Sequence, residues 1–562
     1  MRKYTIGIDF GTLSGRALLV DVETGEELAT DVVEYSHGVM NESLPDGTPL
    51  KPDWNLQYPE DYLDVLRISI RNVMKKAGVS AGEVIGIGID FTACTMLPIK
   101  KEGTPLCFEE KYSSHPNAYV KLWKHHSAQL YADRMTDIAI QSGETFLKRY
   151  GGRISSEWMF PKIWQTLDED PEVYHATDLF IEASDWIVYI LTGKLVRNTS
   201  SAGAKGMWDQ RTGYPSKTYF KKLDPRLENI IEEKFYGDVL PVGTKAGEIT
   251  KKAAELTGLL PGTAVSIGNL DAHGATIGSK IYQPGNMLIM MGTSSCHELI
   301  CKEEKDVPGI CGYVYGGIMP GYFGYEAGQS SVGDEFAWFV NNATPYEYKK
   351  KADAQEISIY DYLNSLASVK KVGETGLVSL DWWNGNRSIL TNGNLSGMIV
   401  GYTLLTKPED IYRALLESTA FGTRKIVEDF KVHGVPVDNI VISGGIAQKN
   451  PFAMQIYSDV LDCDIHISGS KQNAALSAAI WGAIAAGEKR GGYDRISEAA
   501  EAMGKLSATV YHPDIKNHEL YNRLYEKYTV LHDYFGKENP NLMKDLKLMT
   551  EESMKSGREK NA

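Results

Sequence analysis

The chain has 562 residues, 43% of them hydrophobic and 23% charged, an ordinary composition for a water-soluble protein too long for a single core. Its formal net charge of −14 argues against nucleic acid or an anionic membrane as the main partner, since both need a basic footprint. There is no apolar signal core at the N-terminus and no run of about 18 apolar residues, so the expected location is the cytoplasm. Cys94, Cys107, Cys296, Cys301, Cys311 and Cys463 are too scattered for a disulfide framework and lack C-x-x-C metal spacing, so free thiols are expected.

Residues 4–9, 15–22 and 26–35 read as three strands joined by tight turns at GTLSG and ETG, an antiparallel meander. Residues 36–58 form a polar and aromatic loop, long enough to carry function. Pro59 opens a helix with Glu60 and Asp61 in its first turn and Gly78 behind it. VIGIGIDF, 84–91, is an unbroken apolar strand that ends, like the first, in Asp-Phe; its lack of alternation suits the centre of a covered sheet. Residues 110–200 read as mainly helical, 201–245 as irregular and 250–257 as a helix. TAVSIGNLDAHG, 263–274, is a strand running into a turn rich in glycine and acid. NMLIMMGTSSCHELIC, 286–301, is two strands about Gly-Thr-Ser-Ser. Helices follow at 330–341, 408–432, 450–461 and 473–486, with strands at 438–443 and 463–468. Residues 490–562 end in a lysine-rich polar stretch and read as a solvated tail.

IGIDFGTLSGRALLV and LIMMGTSSCHELI share one plan, strand, Gly-Thr-x-Ser, strand, half a chain apart. This predicts two copies of one domain, 1–265 and 266–489, with 490–562 as a C-terminal extension. Two such turns facing each other would clamp a phosphate. Glycine lets the backbone approach an anion, the turn presents N–H groups, and the hydroxyls of Thr12, Ser14, Thr293 and Ser294 add donors. Asp9, at a strand end beside the turn, is placed to hold a divalent cation on a nucleotide phosphate. SGGIAQKN, 443–450, is a third glycine turn between strand and helix, either a ligand approach or a plain tight turn.

The chain has no G-x-x-x-x-G-K-[ST], G-x-G-x-x-G or H-E-x-x-H, and GVSAG at 78–82 follows a helix, the reverse of a nucleophile elbow. IGIDFGTLSGRALLVD, VIGIGIDFTACTMLP, EASDWIVYILTGK, NTSSAGAKGMWDQRTG, SIGNLDAHGATIG, MLIMMGTSS and VISGGIAQKNPFAMQIYSDVLDCDI together resemble the FGGY family of carbohydrate kinases. That family lies in the superfamily that sugar kinases share with actin and Hsp70, and the resemblance spans residues 4–487. It implies an α/β fold of two duplicated ribonuclease H-like domains flanking a catalytic cleft, the first binding sugar and the second nucleotide. It implies ATP and Mg²⁺, and a small-molecule ketopentose as acceptor: L-ribulose first, as in bacterial arabinose breakdown, with D-ribulose or D-xylulose as alternatives. A nucleotide-dependent binding module of the Hsp70 or actin type is the reading from another class, and a homo-oligomer is compatible with either.

The resemblance also implies roles. Asp271 becomes the general base that takes the proton of the attacking sugar hydroxyl; without the resemblance, a turn or N-cap aspartate reads equally well. Ala93, Lys205, Asp271 and Glu326 surround the sugar. Thr12, Gly292, Thr293 and Ser294 face the phosphates, and Gly444, Gly445, Gln448 and Asn450 face ribose and adenine. Asp90 either helps the cation or braces the turn. Two departures from the family pattern, Lys162-Ile163-Trp164 (one residue short of Lys-x-x-Trp) and Tyr402, read as structural. The 36–58 loop, with Trp54 and Gln57, is either an aromatic lid over the sugar or a satellite cluster.

Overall fold

The computed structural model describes residues 2–559. Strands β1 (Tyr4–Phe10), β2 (Ser14–Asp21) and β3 (Glu27–Glu34) form the predicted antiparallel meander. Helix α1 (Pro59–Ala77) starts on its proline, stops on Gly78 at φ 66° and buries Tyr62, Val65, Leu66, Ile70 and Val73 in the core beside the sheet. Strand β4 (Val84–Phe91) is buried at every position and runs parallel to β1, so Asp9 and Asp90 end side by side.

A mainly helical layer follows, with its own aromatic core around Trp158, Phe160 and Phe220. It contains α2 (Thr199–Gly206), where an irregular stretch is expected. The Asn198 side chain caps this helix by accepting from Ser201 N at 2.7 Å. Strands β5 (Lys245–Glu248), β6 (Ala264–Ser266) and β7 (Asn269–Leu270) complete the first sheet, in the order β5-β6-β4-β1-β2-β3 with β7 on the end of β4.

The second sheet repeats the plan. Strands β8 (Gly285–Met291), β9 (Ser295–Cys301), β10 (Gly312–Tyr315) and β11 (Phe323–Gln329) are followed by helices α3 (Gly333–Asn342) and α4 (Pro408–Val432). Then come β12 (Val437–Ser443), α5 (Pro451–Leu461), β13 (Ile465–Ser468), α6 (Asn473–Ala486), β14 (Leu506–Tyr511) and α7 (Ile515–Asp533). The order is β10-β11-β9-β8-β12-β13-β14. Both sheets share a three-stranded antiparallel unit, two strands parallel to its first strand, and an antiparallel edge; the first adds β7, parallel to β4, and the second adds β10, antiparallel to β11. One detail differs. Phe10 pairs with Gly15 across the first turn but Met291 with Ser295 across the second, which is one residue shorter.

Helix α6 lies between β13 and β14 of the second sheet in sequence yet packs on the first, against β1 and β4. The glycines of the two Asp-Phe strands make this possible. A Cβ on Gly7 would lie 1.8 Å from the Ala475 carbonyl oxygen, and one on Gly88 1.8 Å from that of Ala478. Alanine and glycine on the helix complete the close approach.

The expected solvated tail is corrected in part. Strand β14 closes the second sheet, and α7 buries Tyr521, Tyr525 and Tyr528 in its core, with the Tyr528 hydroxyl donating to Asp381 Oδ1 at 2.7 Å. The lysine-rich composition describes only the outer face and the final helix. No described helix is long and apolar enough to cross a membrane.

Candidate active site

The carboxyl ends of β1, β4 and β7 meet at one place, the usual ligand edge of a parallel sheet. Asn269 and Leu270 pair with Asp90 and Phe91, so Asp271, the next residue, starts a short helix just beyond them. Asp9, Asp90 and Asp271 therefore converge from three strand ends. The Asp271 pKa is pushed up to about 7, by burial first and then by the Asp9 charge. Asp90 is raised well above the carboxylate range by burial and by the Asp9 and Asp271 charges. Asp9 is raised by burial, although Arg16 Nε lies 3.2 Å from its Oδ2. Neither Asp90 oxygen receives a hydrogen bond. Of the three acids only Asp90 has both acceptors unmet, since Asp271 Oδ1 accepts from Ala272 N and Asp9 pairs with Arg16; the adjacent Asp9 and Asp90 are the one or two carboxylates by which a hard divalent cation is usually held.

The two glycine turns present free donors. Among the described residues, the N–H groups of Thr12, Leu13, Thr293 and Ser294 donate to no protein acceptor. Each turn is held from behind. Gln57 Nε2 donates to the Thr12 carbonyl at 2.7 Å and Trp123 Nε1 to Thr12 Oγ1 at 3.1 Å. The carbonyls of Gly292 and Thr293 accept from Gly333, Val332 and Asp334 at the start of α3. Gly11 N closes its own turn on the Ser14 carbonyl at 2.9 Å.

The third glycine turn abuts the second. Gly444 stands at φ 110°, and a Cβ there would come within 2.1 Å of the Met291 carbonyl. Gly445 then opens a short helix. Gln448 lines a cavity of about 570 Å³ with Lys280, Ser468, Gly469, Lys505 and Tyr511. Asn450 departs from expectation: it is buried, and its Oδ1 caps α5 by accepting from Ala453 N at 3.0 Å. That oxygen is committed to the backbone, so Asn450 shapes the turn rather than offering its acceptor to a ligand.

Beside the carboxylates, Ala93 packs with Ala204, Leu270 and Val314. This small apolar cluster brings together the neighbours of Lys205 and Asp271. Lys205, in the last turn of α2, donates to Glu326 Oε2 at 2.8 Å; both side chains are buried. Burial is the largest single effect on Lys205 and lowers its pKa, but the charge and hydrogen bond of Glu326, together with Cys94, outweigh it and the net shift is upward. Burial likewise favours a neutral Glu326, yet Lys205, His273 and Arg387 hold it well below the carboxylate range.

Sequence reasoning missed the rest of this network. Glu298 lies directly opposite Glu326 in the β9–β11 pairing, fully buried, with no hydrogen bond to either oxygen. His273 Nε2 is 3.6 Å from Glu298 and 3.4 Å from Glu326, while Nδ1 lies 2.7 Å from Ser200 Oγ. His273, Glu298 and Glu326 are close enough to share an ion. Lys205 and Arg387 already occupy the Glu326 oxygens, however, and would repel a cation there. His273 was legible only as a neighbour of Asp271 in GNLDAHG; Arg387 and Glu298 carry no local signal.

The 36–58 loop resolves as a satellite cluster. Trp54 is buried with Met40, Leu44, Leu56 and Leu106, and packs edge-on to His125. Lys162 is buried and donates to the Cys94 and Leu122 carbonyls, a structural role, and Tyr402 is exposed.

Two like α/β sheets, each with a Gly-Thr turn and the first with acids at its strand ends, form the sugar-kinase architecture. Xylulose kinase from Rhodospirillum rubrum has the same fold, with a TM-score of 0.78, 22% identity, and coverage of 95% of this chain and 99% of its own. The chain belongs to the FGGY family of carbohydrate kinases, whose N-terminal domain matches residues 4–278 and C-terminal domain residues 287–486. It is 53% identical over 547 residues to the ribulokinase of Anoxybacillus flavithermus, covering 97% of each chain. It is 48% identical over 550 residues to that of Mycolicibacterium smegmatis, covering 97% of this chain and 96% of the other.

Proposed function

We propose that the chain transfers the γ-phosphoryl group of ATP to the terminal hydroxyl of L-ribulose, giving L-ribulose 5-phosphate and ADP, in the cytoplasm. The observation that carries this reading is the gathering of Asp271, Lys205, Glu326 and Ala93 beside two donor-presenting glycine turns, in a chain similar along its length to ribulokinases. Asp271 accepts the proton of the attacking hydroxyl; a carboxylate titrating near 7 is a stronger base than an ordinary aspartate and is still ionised in good part at neutral pH. Lys205 and Glu326 orient the sugar, and the small side chain of Ala93 leaves it room. The free N–H groups of the Gly-Thr turns receive the phosphates, and Gly444, Gly445 and Gln448 border the nucleoside. Asp9, with Asp90 beside it, would hold Mg²⁺. When bound, Mg²⁺ neutralises charge on the phosphates.

The test is ADP release by the purified protein with ATP and Mg²⁺, comparing L-ribulose, D-ribulose, D-xylulose and no sugar. Strong stimulation by L-ribulose is expected, and Asp271→Asn should lower the rate by about 10²–10⁴-fold while ATP still binds. Equal stimulation by all three sugars would replace L-ribulose with ketopentoses as a class, and stimulation by none would overturn the reading.

A further inference from the structure

Glu326 does not stand alone in the cleft. Lys205 occupies its Oε2, and Arg387 Nη2 donates to its Oε1. Arg387 comes from the segment between α3 and α4 and is anchored on both flanks. Asn386 exchanges backbone hydrogen bonds with Asn392, and Ser388 Oγ accepts from Gly328 N at 3.2 Å. The guanidinium lies against Gly328, where a Cβ would meet the Ser295 carbonyl at 2.4 Å and sit 3.3 Å from Arg387 Nη1. Among the described residues, the other hydrogen bond of the guanidinium is weak, Nη1 to Cys296 Sγ at 3.5 Å. A guanidinium has five N–H donors, so about three remain. The Arg387 side chain is 33% exposed, against 10% for Lys205 and 8% for Glu326. It is the part of the triad that reaches open space.

We propose that Arg387 is a further sugar-binding residue, whose outward N–H groups donate to oxygens of the acceptor while Glu326 holds the guanidinium in place. This rests on the cleft being the sugar site. A ketopentose is rich in acceptor oxygens. Lys205 already spends one donor on Glu326, and a planar fork held at one corner is a pre-organised partner for two such oxygens.

The experiment is steady-state kinetics of the wild type, Arg387→Met and Arg387→Lys with L-ribulose, its deoxy analogues and the pentitol that lacks the carbonyl. Arg387→Met should raise the sugar KM about tenfold or more with the ATP KM unchanged, and Arg387→Lys should fall between. At least one analogue, the one missing the contacted oxygen, should lose much less in the methionine variant than in the wild type. If every analogue keeps its wild-type penalty, Arg387 acts only by bracing Glu326 and the proposal is overturned. The unchanged ATP KM certifies folding; should the methionine variant fail it, the lysine variant carries the same comparison. A wild type inactive on every ketopentose would instead overturn the sugar-site reading.

Discussion

Asp9, Asp90 and Asp271 form an energetically costly group. Three acids end parallel or adjoining strands within one another's fields, and all three have raised pKa values. The folded chain therefore binds protons there at a pH where the unfolded chain has released them. Its stability from this cluster is full below the ordinary aspartate range and falls as pH rises toward and through about 7, where Asp271 ionises. A divalent cation competes with those protons. Mg²⁺ should accordingly raise the melting temperature more at pH 8 than at pH 5.5, and Asp9→Asn should abolish the difference. Equal shifts at both pH values, read by calorimetry, would remove the cation from this cluster. Asp9 and Asp90 were legible because each ends an apolar strand in Asp-Phe, and Asp271 through the resemblance of GNLDAHG to the family. Glu298 and Arg387 were not, because their partners come from other strands and loops and nothing nearby in sequence marks them.

At the scale of elements, the glycines of IGIDF and VIGIGIDF have a purpose that strand periodicity alone hides. They let α6 lie almost on the backbone of β1 and β4. This fixes the level of the strand ends and hence of Asp9 and Asp90. Gly88→Ala would drive a methyl into the Ala478 carbonyl and should destabilise the protein by about 3 kcal/mol, measured by urea unfolding. Gly82→Ala, where the nearest atom is Leu260 Cδ1 at 3.8 Å, should be near neutral and serves as the control. The same close packing explains α2. Gly203 discourages a helix by propensity, yet a Cβ there would meet Val314 Cγ2 at 1.9 Å, so tertiary contact requires what local preference opposes.

Across the whole molecule, the two copies are interlocked. The first sheet is covered by α6, contributed by a segment some two hundred positions further along the chain. The Lys205–Glu326 pair also joins the helical layer of the first half to the second sheet. Residues 1–278 expressed alone should therefore be insoluble or molten, because Gly7, Gly86 and Gly88 would expose a bare apolar sheet face. Extending the chain through residue 559 should restore cooperative unfolding. A soluble, cooperatively melting 1–278 fragment would show that α6 is dispensable to the first sheet.

The order of strands and helices, the duplication, the Gly-Thr turns and the strand-end acids Asp9 and Asp90 were determined locally, by apolar periodicity and by glycine and proline at chain reversals, whereas Asp271 stood out only through the family resemblance. These are short-range constraints, and a sequence displays them directly. Which face α6 covers, the ion network of Lys205, Glu326 and Arg387, the buried Glu298 and the cap formed by Asn450 were decided only in the tertiary structure. Each depends on the proximity of groups distant in sequence or on a side chain's choice between ligand and backbone. The same holds for the C-terminal extension: its polar outer face is visible in composition, while Tyr521, Tyr525 and Tyr528 became core only when the second sheet was there to receive them.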